Sequence, residues 1–555
     1  MQSTASRWAD ASIRNRPGRG NPFGVGAIIL LALATSGTAG AQELGLPGDV
    51  KAFRKEVRCQ LKFAQQPSSN LRGYLPAIGA AEHTDSVHSG VYPCATWTGS
   101  FDGANNVLQY VSDTTWASIQ LVVFDGPEVG YLQGGGAAPP VYPGGQFIAR
   151  FNASTGKQIW FTSTGNGNDP DQWIAFGSMG IHKNGYLYAA AGPNIYKMDR
   201  QTGGIIATAE MTVLGSLPTD ANFDGFEIAP DKKGTILMKT QNRPVGCTNQ
   251  GNAALGTCGG TSPNTTVVAV DPDTLETLDA IELPEAITAR PIVTTYQGKI
   301  YLYMAGTTLM RVNWFPGAKK LMLDQSWNPA YVLSGQTGGT APNVIGNWII
   351  SNTNAKTGAV PMSVVAVNQG DENKLVRINP WGTTLPTGVP LSVTVGSFGV
   401  DPKNSMIYAQ DYFVGGVYGI KLNQKTGAMK VVWSRPDWRN SDYFTLVGPT
   451  DERVLISQYI DPNTTFADVA QGLAANQLTY TESVLWANAA TGTTIAQSQY
   501  NPATALGSLP NMGYGGRIYM MGNQGSVYIY KPVPAVGEGG RKHHDGKYHD
   551  DDDDD

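Results

Sequence analysis

Short apolar runs alternate with turns along most of the chain. One recurring half is a strand opened by Gly or a turn residue: Gly185-Tyr186-Leu187-Tyr188, Gly298-Lys299-Ile300-Tyr301 and Gly516-Arg517-Ile518-Tyr519. The other half is a strand ending in Asn or Asp, followed by a tight turn and often a Gly four residues on. It is read at Asn152 to Gly156, Asp199 to Gly203, Asn313 to Gly317, Asn423 to Gly427 and Asn488 to Gly492. Weaker copies stand at Asp271 and Asn368, without the Gly. The chemistry suits a turn, since an Asx side chain bonds its own backbone two residues on and Gly accepts positive φ.

Paired in order, the halves give Gly130 with Asn152, Gly185 with Asp199, Gly234 with Asp271, Gly298 with Asn313, Gly346 with Asn368, Asn404 with Asn423 and Glu452 with Asn488. An eighth opening strand at Gly516 runs into Ser526-Val527-Tyr528-Ile529-Tyr530. The mean step is about 55 residues, the size of a four-stranded blade. The expected fold is therefore all-β, an eight-bladed propeller of four-stranded antiparallel blades, with seven blades as the alternative count. A strand near Val107 to Val111 is expected to close the ring by completing the sheet begun at Gly516. A pair of β-sandwiches is the competing architecture, but it does not explain one turn recurring after the same strand.

Ala149-Arg150-Phe151-Asn152-Ala153-Ser154-Thr155-Gly156-Lys157-Gln158-Ile159-Trp160 resembles the repeat of the pyrroloquinoline-quinone-like propellers, an A-x-D-x-x-T-G-x-x-x-W motif. Asn423 to Gly427 with Trp433 is a looser copy. The resemblance covers roughly residues 100 to 532 and implies the blade, not an activity. The tryptophan that docks adjacent blades in the quinoprotein dehydrogenases is missing from most repeats here. Those enzymes stack their quinone against a Trp and a vicinal Cys-Cys disulfide and use an Asp base with calcium. No adjacent Cys pair occurs in this chain, and no surrounding motif assigns those roles to Trp173, Asp220 or Asp442. Pyrroloquinoline quinone is thus not supported by motif.

Composition narrows the class. The chain of 555 residues holds 67 Gly and 34 Pro, is 41% hydrophobic and only 15% charged. That excludes intrinsic disorder, which needs few apolar residues and high net charge. A nucleic-acid binder is not expected either, because the formal charge is −5. Arg7, Arg14, Arg16 and Arg19, the apolar run Ala27 to Ala34, and Ala39-Gly40-Ala41 form the n-region, h-region and cleavage site of a secretory signal. An N-terminal membrane anchor is the competing reading, but the run is short for a span of ~20 residues.

Four Cys, at 59, 94, 247 and 258, suit an exported chain. The simplest pairing is local: Cys59–Cys94 and Cys247–Cys258. Zinc competes with it but lacks C-x-x-C spacing. The expected organisation is a signal peptide over 1–41, an N-terminal extension over 42–99, a propeller over 100–532, and a solvated His/Asp-rich tail over 533–555. The product is expected in the periplasm or outside the cell, with no transmembrane segment after cleavage.

A propeller presents its channel through the loops that enter the inner strands. Reading back from the opening strands gives Trp173, Asp220, Asn222, Asp224, Arg290, Asn343, Arg439, Asp442, Tyr443 and Asn511 as the channel-mouth ligand site. Loop capping is the bland reading of each. Asp220-Ala221-Asn222-Phe223-Asp224-Gly225 has the oxygen spacing of a calcium loop, so Asp220, Asn222 and Asp224 are candidate ligands for one calcium ion. Asn166, Asn168, Asp169 and Asp171 are a weaker oxygen cluster. His83 and His88 fall in a polar stretch, read as a surface loop with metal ligation as the alternative. His182 is expected in a turn or core role. No nucleophile elbow or haem motif is present. The functional expectation is an exported binding module for a protein segment or glycan. The alternatives are a quinoprotein-type dehydrogenase acting on an alcohol or sugar, and another propeller-based hydrolase or lyase.

Overall fold

A computed structural model describes residues 49–64, 66, 69–136, 144–165, 171–251, 254–356, 360–389, 391–394, 396–440, 443–465, 467–469, 478–504 and 508–535. The expected signal and most of the expected tail lie outside the described residues, as do Asp442, Asn166, Asn168 and Asp169.

Eight antiparallel sheets stand in a ring, each with a four-stranded core. Blade 1 holds strands Leu121–Phe124, Val129–Gly134, Phe147–Asn152 and Gln158–Ser163 from axis to rim; blades 2 and 3 begin at Ser178–Ile181 and Ala221–Ile228. Blades 4 to 7 begin at Ile292–Tyr296, Asn343–Ile345, Gly399–Asp401 and Thr445–Val447. Blades 5 and 7 carry short additional strands beyond the four. Blade 8 takes Asn511–Met512, Ile518–Met521 and Ser526–Pro534 from the end of the chain and Asn105–Thr115 from its beginning. Val107 pairs with Pro532 and Val111 with Tyr528, so the ring is closed by the expected strand.

The Gly-opened strands are the second of each blade, not the innermost. Leu187–Ala191 pairs with the shorter inner strand Ser178–Ile181, and Ile518–Met521 with Asn511–Met512. The inner strands escape a search for alternation because Ser178–Ile181 and Ala221–Ile228 are buried throughout.

The Asx turns join third to fourth strands. Asn152 Oδ1 accepts the amides of Ser154 and Thr155 at 2.9 Å, and Asp199 Oδ1 those of Gln201 and Thr202. At Asp271 the Gly position is filled by Leu275, held at φ 62° with its amide on the Asp271 carbonyl. Asn313 is a correction: it lies inside the strand Leu309–Phe315, and the turn is made after it, with Lys319 at φ 51°.

These turns latch the blades. Trp160 of blade 1 donates Nε1–H to the Arg200 carbonyl and lies over Gly203 of blade 2. Trp433 of blade 6 donates to Ala489 at 3.0 Å and lies over Gly492 of blade 7. Trp348 reaches Gln424 from another position, at the start of the second strand of blade 5.

Strand direction separates two faces. First-to-second and, in blades 1 to 7, third-to-fourth connections are short and lie on one side, the hairpin face. The second-to-third and blade-to-blade connections begin and end on the other side, the loop face. A helix, Asp49–Ala64, packs on the hairpin face. Its Phe53 ring meets Tyr514 edge-on, and its Glu56 carboxylate accepts the Gly515 amide.

Candidate functional site: the channel and its plug

Inner strands surround the axis, so whatever fills the axis decides what the ring can bind. Here it is the chain's own segment 74–92, and it meets the inner layer of all eight blades. Gly79 accepts the Phe124 amide of blade 1 and Ala80 the Ile181 amide of blade 2, both at 3.0 Å. Tyr74 OH donates to Glu227 of blade 3 at 3.0 Å. Ser86 accepts the Val293 amide of blade 4, and Asn343 of blade 5 donates its amide to the His88 carbonyl at 2.6 Å. Ser89 accepts the Val400 amide of blade 6, and Gly90 the Leu446 amide of blade 7. Tyr514 OH of blade 8 receives the Ile78 amide.

The fit is close. Gly90 sits at φ 76°, where a Cβ would lie 2.5 Å from the Phe444 carbonyl oxygen. Thr84 and His88 also hold positive φ, at 74° and 53°. Such backbone costs energy in a non-glycine residue and persists where surroundings over-determine it. The Cys59–Cys94 disulfide ties the far end of the plug to the helix.

The surface-loop reading of His83 and His88 is therefore corrected: both are buried at the axis. The sequence carries little warning, because Ala77 to Gly90 has neither helical nor alternating spacing. Small residues and glycines let such a segment follow a narrow channel, and its polar atoms are then matched by inner-strand backbone.

At the plug's turning point, nearest the loop face, Glu82 pairs with Arg290 and His83 lies 4.9 Å edge-on from the Tyr443 ring. Below, His88 Nε2 is 2.8 Å from Glu227 Oε1. Lys239 Nζ is 2.7 Å from Asp224 Oδ1, and Gln241 donates to Asp224 Oδ2. Burial dominates the electrostatics. It lowers His83 well below the usual imidazole range, with His88 adding to the effect, and lowers His88 to about 4. It raises Glu227 and Asp85, and brings Arg290 down to about 10. It also raises Asp224 and lowers Lys239, each offset by the charge of the other. The result is a buried cluster of ion pairs in which both imidazoles are biased toward the neutral form.

Of the sequence-derived mouth residues, Asp224, Arg290, Asn343 and Tyr443 converge on the plug. Asp442 lies outside the described residues, and the remaining five make their named contacts elsewhere. Trp173 is fully buried and donates to Gly251, beneath the loop closed by the Cys247–Cys258 disulfide. Asp220 accepts Arg243 at the base of that loop. Asn222 spends its amide on Phe176, Gly192 and Gln146. Arg439 holds the Thr464 carbonyl of the blade 7 insertion, and Asn511 donates to Leu509. For calcium the fit is poor, because Asp220 and Asp224 already face Arg243 and Lys239, and Asn222 is used inside the sheet. Among the described residues no group of three or more His, Cys, Asp or Glu is placed to hold a metal. His182 takes its expected turn role, accepting the Asn184 amide on Nδ1 with Gly234 O at 3.0 Å from Nε2.

No protein-family model and no curated protein matches the chain. Solved structures resemble it in part. The quinohemoprotein alcohol dehydrogenase of Comamonas testosteroni has 10% identity over 89% of this chain and 86% of its own, with a TM-score of 0.44. Saccharomyces cerevisiae Sqt1 has 11% identity over 78% and 100%, with a TM-score of 0.46. The WD40 repeats of RRP9 have 11% identity over 65% and 92%, with a TM-score of 0.40.

Proposed function

We propose that the protein is an exported recognition propeller that binds a protein segment or glycan on its loop face. The observation that carries this reading is the plug. Residues 74–92 occupy the axis through hydrogen bonds to the surrounding blades, which leaves that space to the chain itself and not to a large ligand such as a quinone. What remains for a partner is the surface built by the long connections. Leu217 and Val245 stand exposed there, at 64% and 76%, on neighbouring loops joined by the Arg243–Asp220 pair. Two disulfides support an oxidising compartment, and no described helix is long and apolar enough to cross a membrane.

Reconstitution with pyrroloquinoline quinone and calcium separates this reading from the dehydrogenase. The expected result is an unchanged quinone spectrum and no dye reduction with methanol, ethanol or glucose. Dye reduction with any of them overturns it. In parallel, a glycan and peptide array is expected to give hits that Leu217→Asp/Val245→Asp abolishes.

A further inference from the structure

The seam between blades 6 and 7 carries aromatic rings and charges where it reaches the loop face. Tyr459 stands near the end of the second strand of blade 7, Val454–Ile460, and its cross-strand partner is Ser483. Gln497, at the end of the fourth strand Thr494–Gln497, donates to Ser483 Oγ at 2.9 Å and to the Tyr500 hydroxyl at 3.4 Å. Tyr459 packs on the apolar cluster of Trp433, Trp438 and Leu485 that joins the two blades. Tyr459, Ser483 and Gln497 therefore share the face of blade 7 that looks toward blade 6, with Tyr500 at its loop-face end.

Blade 6 supplies the charges. Its last strand, Met429–Arg435, ends in Arg435, whose guanidinium grips Asp437 through Nε at 2.8 Å and Nη2 at 2.7 Å. The remaining Nη1 donates to the Gly492 carbonyl and to Thr494 of blade 7. Trp438 donates to the Gln458 carbonyl at 2.7 Å and the Ile460 amide to the Arg439 carbonyl, which clips residues 435–439 along the end of the Tyr459 strand. Burial raises the Tyr459 hydroxyl above its ordinary range. Asp437, Tyr500 and Asp461 add to the rise and Arg435 opposes it, so these groups share one neighbourhood.

The chemistry of these groups selects a ligand. Tyr500 is 40% exposed and the Asp437 side chain 51%, so a ring and a carboxylate both meet solvent. Each Asp437 oxygen gives one lone pair to Arg435 and keeps another for an outside donor. Tyrosine offers an apolar ring beside a polar tip. A pyranose has the matching pattern, with C–H groups on one ring face and hydroxyls that donate and accept around its edge. Asp437 and Asp461, against one guanidinium already engaged, disfavour a ligand with carboxylates of its own.

We propose that Tyr459, Tyr500, Asp437 and Asp461 form a subsite for a neutral sugar residue at the loop-face end of the seam between blades 6 and 7. The subsite rests on the reading of the loop face as a recognition surface, and it lies on other blades than Leu217 and Val245. It is preorganised, because Arg435 and Trp438 are fixed by their bonds to blade 7.

Saturation-transfer NMR of the whole protein with maltotriose, cellotriose, mannotriose and chitotriose, and with trigalacturonate as the acidic control, tests the subsite. Expected is transfer to the ring C–H protons of at least one neutral sugar, with affinity lowered about tenfold in Tyr500→Ala and retained in Tyr500→Phe. Absence of transfer to every neutral sugar overturns the proposal, as do equal affinity of Tyr500→Ala and tighter binding of trigalacturonate. Array hits that Leu217→Asp/Val245→Asp abolishes and Tyr500→Ala leaves unchanged overturn this subsite alone and keep the loop-face reading. Hits confined to peptides and lost in Tyr500→Ala make a protein segment the occupant of the seam and overturn the sugar assignment.

Discussion

The imidazole of His83 is stacked on that of His88, ring centroids 4.5 Å apart, inside the ring of blades. Burial disfavours the charged form of both rings. Burial holds His88 at about 4. The sign follows from linkage: the unfolded chain takes up a proton near 6.5 that the folded site refuses. This contribution is complete above pH 6.5 and is lost as pH falls toward 4, by about 3 kcal/mol. His88→Asn tolerates the positive φ and removes that loss. The difference in unfolding free energy between wild type and variant is therefore expected to shrink from pH 7 to pH 4.5. In NMR titrations both rings are expected to titrate below the usual imidazole range, His88 near 4. Glu227 and Asp85 face the pair with raised values and act in the opposite sense, which is why the difference, not the wild-type curve, is diagnostic.

Trp433→Ala is expected to cost about 3 kcal/mol by opening the latch between blades 6 and 7. Gly492→Ala should be destabilising from the other side, since its Cβ would stand 2.7 Å from the indole at φ 74°. Leu275→Gly is the informative contrast. Its position is equivalent, but the preceding outer strand, Ile205–Glu210, carries no Trp, and the leucine fills the space itself. Denaturant melts should show a loss there too, through a lost core side chain.

The buried Asp224–Lys239 pair makes a third prediction. Lys239→Met leaves Asp224 buried and short of its nearest cation, at a cost of about 3–5 kcal/mol. Adding Asp224→Leu should restore much of it. A double variant no more stable than Lys239→Met would mean that the pair is not the reason for the loss.

The ring was legible in the sequence and its contents were not. Asx turns, Gly-opened strands, the closing strand around Val107 to Val111 and both disulfides follow from local chemistry that repeats or pairs simply. The inner strands carry no alternation, so second strands such as Leu187–Ala191 take their place in a sequence reading. The plug is harder still. Its position depends on contacts such as Tyr74 with Glu227 and Ile78 with Tyr514, which join residues 153 and 436 apart in the chain. Asp224, Arg290, Asn343 and Tyr443 lie near the axis because the loop-to-inner-strand rule holds for their blades. Glu227, three residues beyond Asp224 along the same strand, carries no such signal.

Removing Cys59–Cys94 is expected to cost about 2–5 kcal/mol, and removing Cys247–Cys258 about 1 kcal/mol less, because the loops closed are 35 and 11 residues. Serine double variants compared by thermal melting check the order.

The central claim is that segment 74–92 is a built-in part of the propeller axis. Hydrogen–deuterium exchange of the intact protein measures it most directly. Ile78, Ser86, Val87, Ser89 and Tyr92 amides are expected to exchange as slowly as those of inner strands such as Ile292–Tyr296, over hours. Exchange of these amides within seconds, while the blades stay protected, would show an open channel and contradict the account.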